Sequence, residues 1–124
     1  MGADQRGPFG RRGEDLACET LRREGYRVVE RRFRTRAGEL DIIARDGDTI
    51  VFVEVKARSG GSFGTPFESV TWRKRRRLCG MAAEYLRARR LEGAPCRFDV
   101  VGVTEGGGAA PRVEIIRRAF DLDW

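Results

Sequence analysis

Glu54 and Lys56 stand two residues apart in "TIVFVEVKAR" (residues 49–58), otherwise the most apolar run of the chain. Side chains of an extended strand alternate between its faces, so these two charges point one way while Val51, Val53 and Val55 point the other. The preceding apolar segment, "GELDIIARDGD" (residues 38–48), carries Glu39 and Asp41 at the same spacing, and its "DGD" turn predicts a hairpin that sets this face against Glu54. Near the N-terminus Glu14 shares a helical stripe with Ala17 and Leu21, which aims it at the interior. Three segments thus offer carboxylates to one place, with a lysine beside them.

Clustered carboxylates repel and desolvate one another unless a cation sits among them. Mg2+ is the expected cation, with Mn2+ as its substitute, because it takes oxygen ligands, usually one or two carboxylates plus water and substrate phosphate. Such an ion polarises a phosphoryl oxygen and lowers the pKa of bound water. Lys56 would then orient or deprotonate the attacking water, or neutralise charge developing on the phosphorane. A competing reading makes Glu54 and Lys56 a cross-strand ion pair on the wet face of a half-buried sheet. For Glu14 the competing role is complementing a helix dipole in the first turn.

Composition narrows the chemistry. Of 25 basic residues only Lys56 and Lys74 are lysines. Arginine stays charged and presents a wide fork, whereas lysine is a compact charge whose pKa responds to burial, so position 56 suits a smaller, tunable ammonium. Genome base bias accounts for arginine over lysine but not for 25 basic against 19 acidic residues. The net charge of +6 and pI near 10.0 favour polyanions, nucleic acid before anionic membrane surfaces. The chain has no His, and Cys18, Cys79 and Cys96 are widely spaced, which excludes zinc sites and His-based triads. The cysteines are expected as small buried apolar residues. No run is long and apolar enough to span a bilayer, so a soluble cytoplasmic protein without membrane association is expected.

The positioning elements follow from periodicity. The 124 residues suit one domain, 1–124, with residues 1–9 flexible and a core over about 10–120. A first helix is predicted from Gly13 to Glu24, stopped by Gly25. Strands are predicted over Tyr26–Arg36, in the segment beginning at Gly38, and over Thr49–Arg58. After the Gly- and Pro-containing loop "SGGSFGTPFES" comes a long helix from Val70 to near Arg90. A fourth strand, "CRFDVVGVTE", a "GGGAAP" turn and a fifth strand, "RVEIIRRAF", complete an α-β-β-β-α-β-β order. Arg73, Lys74, Arg75, Arg76 and Arg77 begin the second helix. As a run they are a solvated face, yet Lys74 and Arg77 share the stripe of Val70, Leu78 and Met81 and could grip a phosphate, as could Arg58 at the strand end. Glu39 is expected to support the site, Asp99 to bond to backbone or Arg, and Trp72, Tyr85 and Trp124 to pack.

"GELDIIARDGDTIVFVEVKAR" resembles the core of the PD-(D/E)xK nucleases. With "GRRGEDLA", "KRRRLCGMAAEYL" and "RFDVVGV", the whole pattern resembles the bacterial YraN-like family over roughly residues 10–103. Agreement in several separated blocks is more specific than any one of them. The resemblance implies an α/β restriction-endonuclease-like fold, an αβββαβ core on a mixed sheet, related to archaeal Holliday-junction resolvases. It also implies that Asp41 and Glu54 are metal ligands, that Lys56 is the catalytic lysine, and that Glu14 completes the site. Leu40 stands where the superfamily name puts proline, a position that varies in the superfamily. The expected function is a metal-dependent endonuclease hydrolysing DNA phosphodiester bonds, on branched or structured DNA because no base-reading module is recognisable. A homodimer is expected by analogy with relatives that resolve two-fold junctions. The alternative is a non-catalytic nucleic-acid-binding accessory protein that keeps the fold for DNA processing or recombination.

Overall fold

The computed structural model describes residues 8–59, 71–106 and 109–120. Helix α1 spans Pro8–Arg23, so it starts at Pro8 rather than at Gly13. The glycines at positions 10 and 13 weaken the helical signal, but proline's fixed φ suits the first helical turn. Gly25 takes the positive φ (94°) expected of the stop, and Tyr26 N–H donates to the Leu21 carbonyl at 3.0 Å, closing the last turn. Helix α2 spans Trp72–Ala88, capped by the Thr71 hydroxyl, which accepts from Lys74 N–H. It ends with Arg90 in the left-handed region (φ 57°) and Leu91 N–H donating to the Leu86 carbonyl at 2.8 Å. Val70, the predicted first residue of this helix, and Trp124 lie outside the described residues.

Five strands, β1 (Arg27–Thr35), β2 (Gly38–Asp46), β3 (Thr49–Ser59), β4 (Cys96–Gly106) and β5 (Ala109–Phe120), form one sheet in the order β1-β2-β3-β4-β5. Only β3 and β4 run parallel, because α2 carries the chain back across the sheet between them. The predicted hairpin pairs Ile42 with Val53 and turns at Gly47 (φ 61°). Strand β5 starts at Ala109, ahead of the predicted Arg112, and its edge position tolerates Pro111. Two helices on a mixed five-stranded sheet, in this order, make the restriction-endonuclease-like core that the sequence pattern implied.

The sheet is apolar on both faces. Val51 and Val53 pack with Ala17, Cys18 and Leu21 of α1, whereas Ile50 and Phe52 pack with Leu78, Met81, Ala82 and Tyr85 of α2. Cys18 and Cys79 are buried, as expected, and Cys96 is half-buried. Gly13 lets α1 settle closely, since a Cβ there would stand 2.9 Å from the Cβ of Ala57. On the α2 side Tyr85 meets Phe33 and Phe52 edge-on, with ring centroids 5.1 and 5.8 Å apart. Each such aromatic pair adds roughly 0.5–1.5 kcal/mol to its area burial and fixes the helix along the sheet. That docking decides which residues of α2 overhang β3.

Asp99 of β4 is completely buried. Its carboxylate accepts from Tyr26 Oη at 2.6 Å, Arg97 Nε at 3.0 Å and the Arg118 backbone N–H at 3.0 Å. The β4–β5 register shifts beside it, between Phe98 and Val100, and Arg118 adopts a φ of 53°. The backbone and arginine partners expected for Asp99 are therefore present, with a tyrosine added.

Candidate functional site

Asp41 owes its position to an irregularity in β2. Leu40 packs on the α2 side and Ile42 on the α1 side, so the strand changes phase at Asp41, where strict alternation would have kept both on one face. Arg32, between the residues of β1 that pair with Leu40 and Ile42, has a φ of 57°. Paired residues of β2 and β3 run from Asp46 and Thr49 to Ile42 and Val53, and next to them the Asp41 carboxylate accepts the Val55 N–H at 2.8 Å. The side chain is thereby oriented by backbone. Asp41 is 5% exposed and Glu54 9%.

These two acids line a cavity of about 330 Å³ together with Glu39, Lys74 and Arg77, with Leu78 and Met81 beneath. Lys74 Nζ stands 2.6 Å from Glu54 Oε2, and Lys56 Nζ stands 4.0 Å from the same oxygen. The only two lysines of the chain meet at one carboxylate. The Lys74–Glu54 pair was not foreseen, although the scarcity of lysine was a signal that could have found it. Burial, the hydrogen bond with Lys74 and the charge of Lys74 lower the Lys56 pKa against the opposing pull of Glu54 and Asp41. For Lys74 burial opposes the charge, but hydrogen bonds with Glu54 and Lys56 and the charges of Glu54 and Asp41 outweigh it and raise its pKa. Glu39, expected as a supporting acid, lines the cavity and accepts from Arg34 Nε at 3.0 Å.

Glu14 points inward as expected and is completely buried. Its Oε1 accepts from Arg31 Nη2 at 2.8 Å, Arg31 Nε at 3.0 Å and Arg32 Nε at 3.1 Å. Two guanidinium groups thus already supply the cations that the interior requires of this carboxylate. Among the described residues, Glu14, Asp41 and Glu54 do not gather as a three-acid group able to hold an ion. The dipole reading also lapses, because α1 begins at Pro8 and its first turn contains no acid. Glu14→Gln should lower stability in metal-free buffer by about 2–3 kcal/mol, measured by urea unfolding, because a buried carboxylate's charged partners are lost. That is below the cost of a fully buried pair, since Arg31 and Arg32 keep 33% and 26% side-chain exposure and can rehydrate.

Along α2, Lys74 and Arg77 reach the cavity, while Arg73, Arg75 and Arg76 are exposed, and so is the remainder of Arg77. Arg58 lies in β3 opposite Thr104, and its side chain falls outside the described residues. Tyr85 packs as expected. Trp72 does not: it is 68% exposed, because it leads the helix on the side away from the sheet. Among the described residues no helix is long and apolar enough to cross a membrane.

Comparison with known proteins agrees over nearly all of this framework. The model of a family described as "Uncharacterised protein family UPF0102" matches residues 13–103. A UPF0102 protein of Symbiobacterium thermophilum is 49% identical over 111 residues, 90% of this chain and 94% of the relative. One from Rhodococcus opacus is 46% identical over 112 residues, covering 90% and 95%, and one from Geobacter metallireducens is 47% identical over 114 residues, covering 92% and 93%. The chain belongs to the UPF0102 family, in agreement with the YraN-like resemblance of its sequence blocks.

Proposed function

We propose that this protein is a metal-dependent endonuclease that hydrolyses phosphodiester bonds in branched or structured DNA, acting as a homodimer. The observation that carries the reading is the cavity that Asp41 and Glu54 both line, with Glu54 next to both lysines, at the basic start of α2. The donor set fits Mg2+ or Mn2+: two hard carboxylates in a polar recess meet the usual protein share of such a site, with water and phosphate completing it. Asp41 and Glu54 would hold the ion, which when bound would neutralise phosphoryl charge and acidify water. Glu14 has the weaker claim as a third ligand, since arginines occupy it.

The lysines divide the remaining work. Lys56, whose lowered pKa leaves more of it as the amine, can take a proton from the attacking water. Lys74 and Arg77 present cations to the entering phosphate, and Arg73, Arg75 and Arg76 hold the flanking backbone. The test is incubation of the purified protein with linear, flapped and four-way DNA in Mg2+ or Mn2+. Cutting of the branched forms is expected, and failure to cut any of them overturns the reading.

A second reading, a nucleic-acid-binding accessory protein without catalysis, is favoured by the Lys74–Glu54 pair at 2.6 Å, which already balances one of the two carboxylates the metal would need. It predicts DNA binding that weakens steeply with salt and is indifferent to Asp41→Ala, read by anisotropy titration.

A further inference from the structure

We infer that Trp72 is a stacking platform for an unpaired base of the nucleic acid, an inference that rests on the nucleic-acid reading above and narrows its substrate to one with unstacked nucleotides. Tryptophan offers a broad apolar ring that folds ordinarily cover at least in large part. Here 68% of the residue is exposed. Among the described residues the other exposed large apolar ones, Val29 and Ile116, lie on β1 and β5 at opposite edges of the sheet, so Trp72 is not part of one apolar patch with them.

What surrounds the indole selects its partner. Arg76, one helical turn on, holds its guanidinium 5.2 Å from the ring centroid. This cation–π contact orders the ring and occupies one of its faces, so the second face is the one offered to a ligand. Arg73 and Arg75, about 100° and 60° from it around the helix, are exposed as well. A hydrophobic protein surface would have to desolvate these charges, whereas a nucleotide strand supplies phosphates for the arginines and a π-face for the indole. An aromatic ring set among basic side chains is the combination by which proteins grip single strands without reading sequence.

Placement joins this platform to the cavity. Successive helical residues turn by about 100°, so Lys74 points roughly 200° away from Trp72 and toward Glu54. The indole and the acids therefore lie on opposite sides of α2, about one helix diameter or 10 Å apart. A duplex would keep its bases stacked inside and offer nothing to the ring. A strand that leaves the duplex at a flap or junction can set its phosphate at Lys74 and an extruded base on Trp72.

The test uses the full chain carrying Trp124→Phe, which makes Trp72 the sole tryptophan, and three probes without divalent metal: a blunt duplex, the same duplex with a single-stranded flap, and the free single strand. The free protein should be readily quenched by acrylamide, and Trp72 fluorescence should fall on binding the flap and the single strand but not the blunt duplex. In the otherwise unaltered chain, Trp72→Ala should weaken flap and single-strand binding about tenfold and change blunt-duplex affinity less than twofold, with Trp72→Phe recovering part of the loss. An indole shielded in the free protein, unchanged fluorescence on the flap, or equal effects of Trp72→Ala on all probes would overturn the inference while leaving DNA binding standing. Absence of salt-dependent binding to any probe would overturn both.

Discussion

Lys56→Ala should lower metal-dependent cleavage by about a hundredfold to ten-thousandfold, the range associated with loss of a proton-transferring group, and Glu54→Gln should abolish most of it through loss of a charged metal ligand. Their stabilities should differ, and that difference separates chemistry from folding. Glu54 is the partner of Lys74 at 2.6 Å, so its neutral analogue leaves a half-buried ammonium without its counter-charge. A loss of about 1–2 kcal/mol by thermal or urea unfolding is expected for Glu54→Gln. Lys56 is in the reverse position. A lysine whose pKa is lower in the folded chain than in the open one binds its proton less well when folded, so its charge subtracts from stability below the folded pKa. Lys56→Ala should therefore melt no lower than the wild type while losing activity. Cleavage retained in Lys56→Ala would remove Lys56 from the proposed chemistry, and activity lost only in proportion to unfolding would make the site structural.

The second large effect is expected far from the cavity. Asp99→Ala should cost about 3–5 kcal/mol in urea unfolding, because it strands buried partners of a buried charge. Tyr26 loses its acceptor at 2.6 Å, the Arg118 N–H loses its own at 3.0 Å, and Arg97 loses its buried counter-charge, keeping Asp46 at 2.9 Å and Tyr26 Oη at 3.1 Å. Domains of ordinary stability hold about 5–15 kcal/mol in total, so this one residue carries a large fraction. Tyr26→Phe, which removes one donor and leaves the arginine pair, should lose only about 1–2 kcal/mol. An Asp99→Ala protein within 1 kcal/mol of the wild type would show that the β4–β5 bulge relaxes to satisfy these groups another way. Because Asp99 does not line the cavity, its variant also serves as a control: any loss of cleavage should track the unfolded fraction.

Much of the framework is local and was therefore readable. The two-residue period of "TIVFVEVKAR" separates the valine face from Glu54 and Lys56 whatever the strand packs against, and the "DGD" turn makes the hairpin with no help from distant residues. The order of elements follows in the same way, and Gly25 stops α1 through its own backbone freedom. Element boundaries were weaker. Pro8 and Ala109 begin their elements outside the apolar periodicity, one by fixed φ and the other by pairing along β4.

The sequence by itself determined which acids and lysines are unusual, which face of β3 they share and what chemistry those residue types can do. Only the tertiary structure decided which charge neutralises which. Asp41 turns toward Val55 N–H because β2 changes phase, Glu14 is taken by Arg31 and Arg32 of a neighbouring strand, and Lys74 reaches Glu54 because the Tyr85 and Phe52 packing sets α2 above it. Periodicity is carried by adjacent residues. An ion pair is a short-range interaction between groups brought together by packing, and the 0% exposure of Glu14 beside the 68% exposure of Trp72 is a result of how the helices dock rather than of either residue's neighbours in the chain.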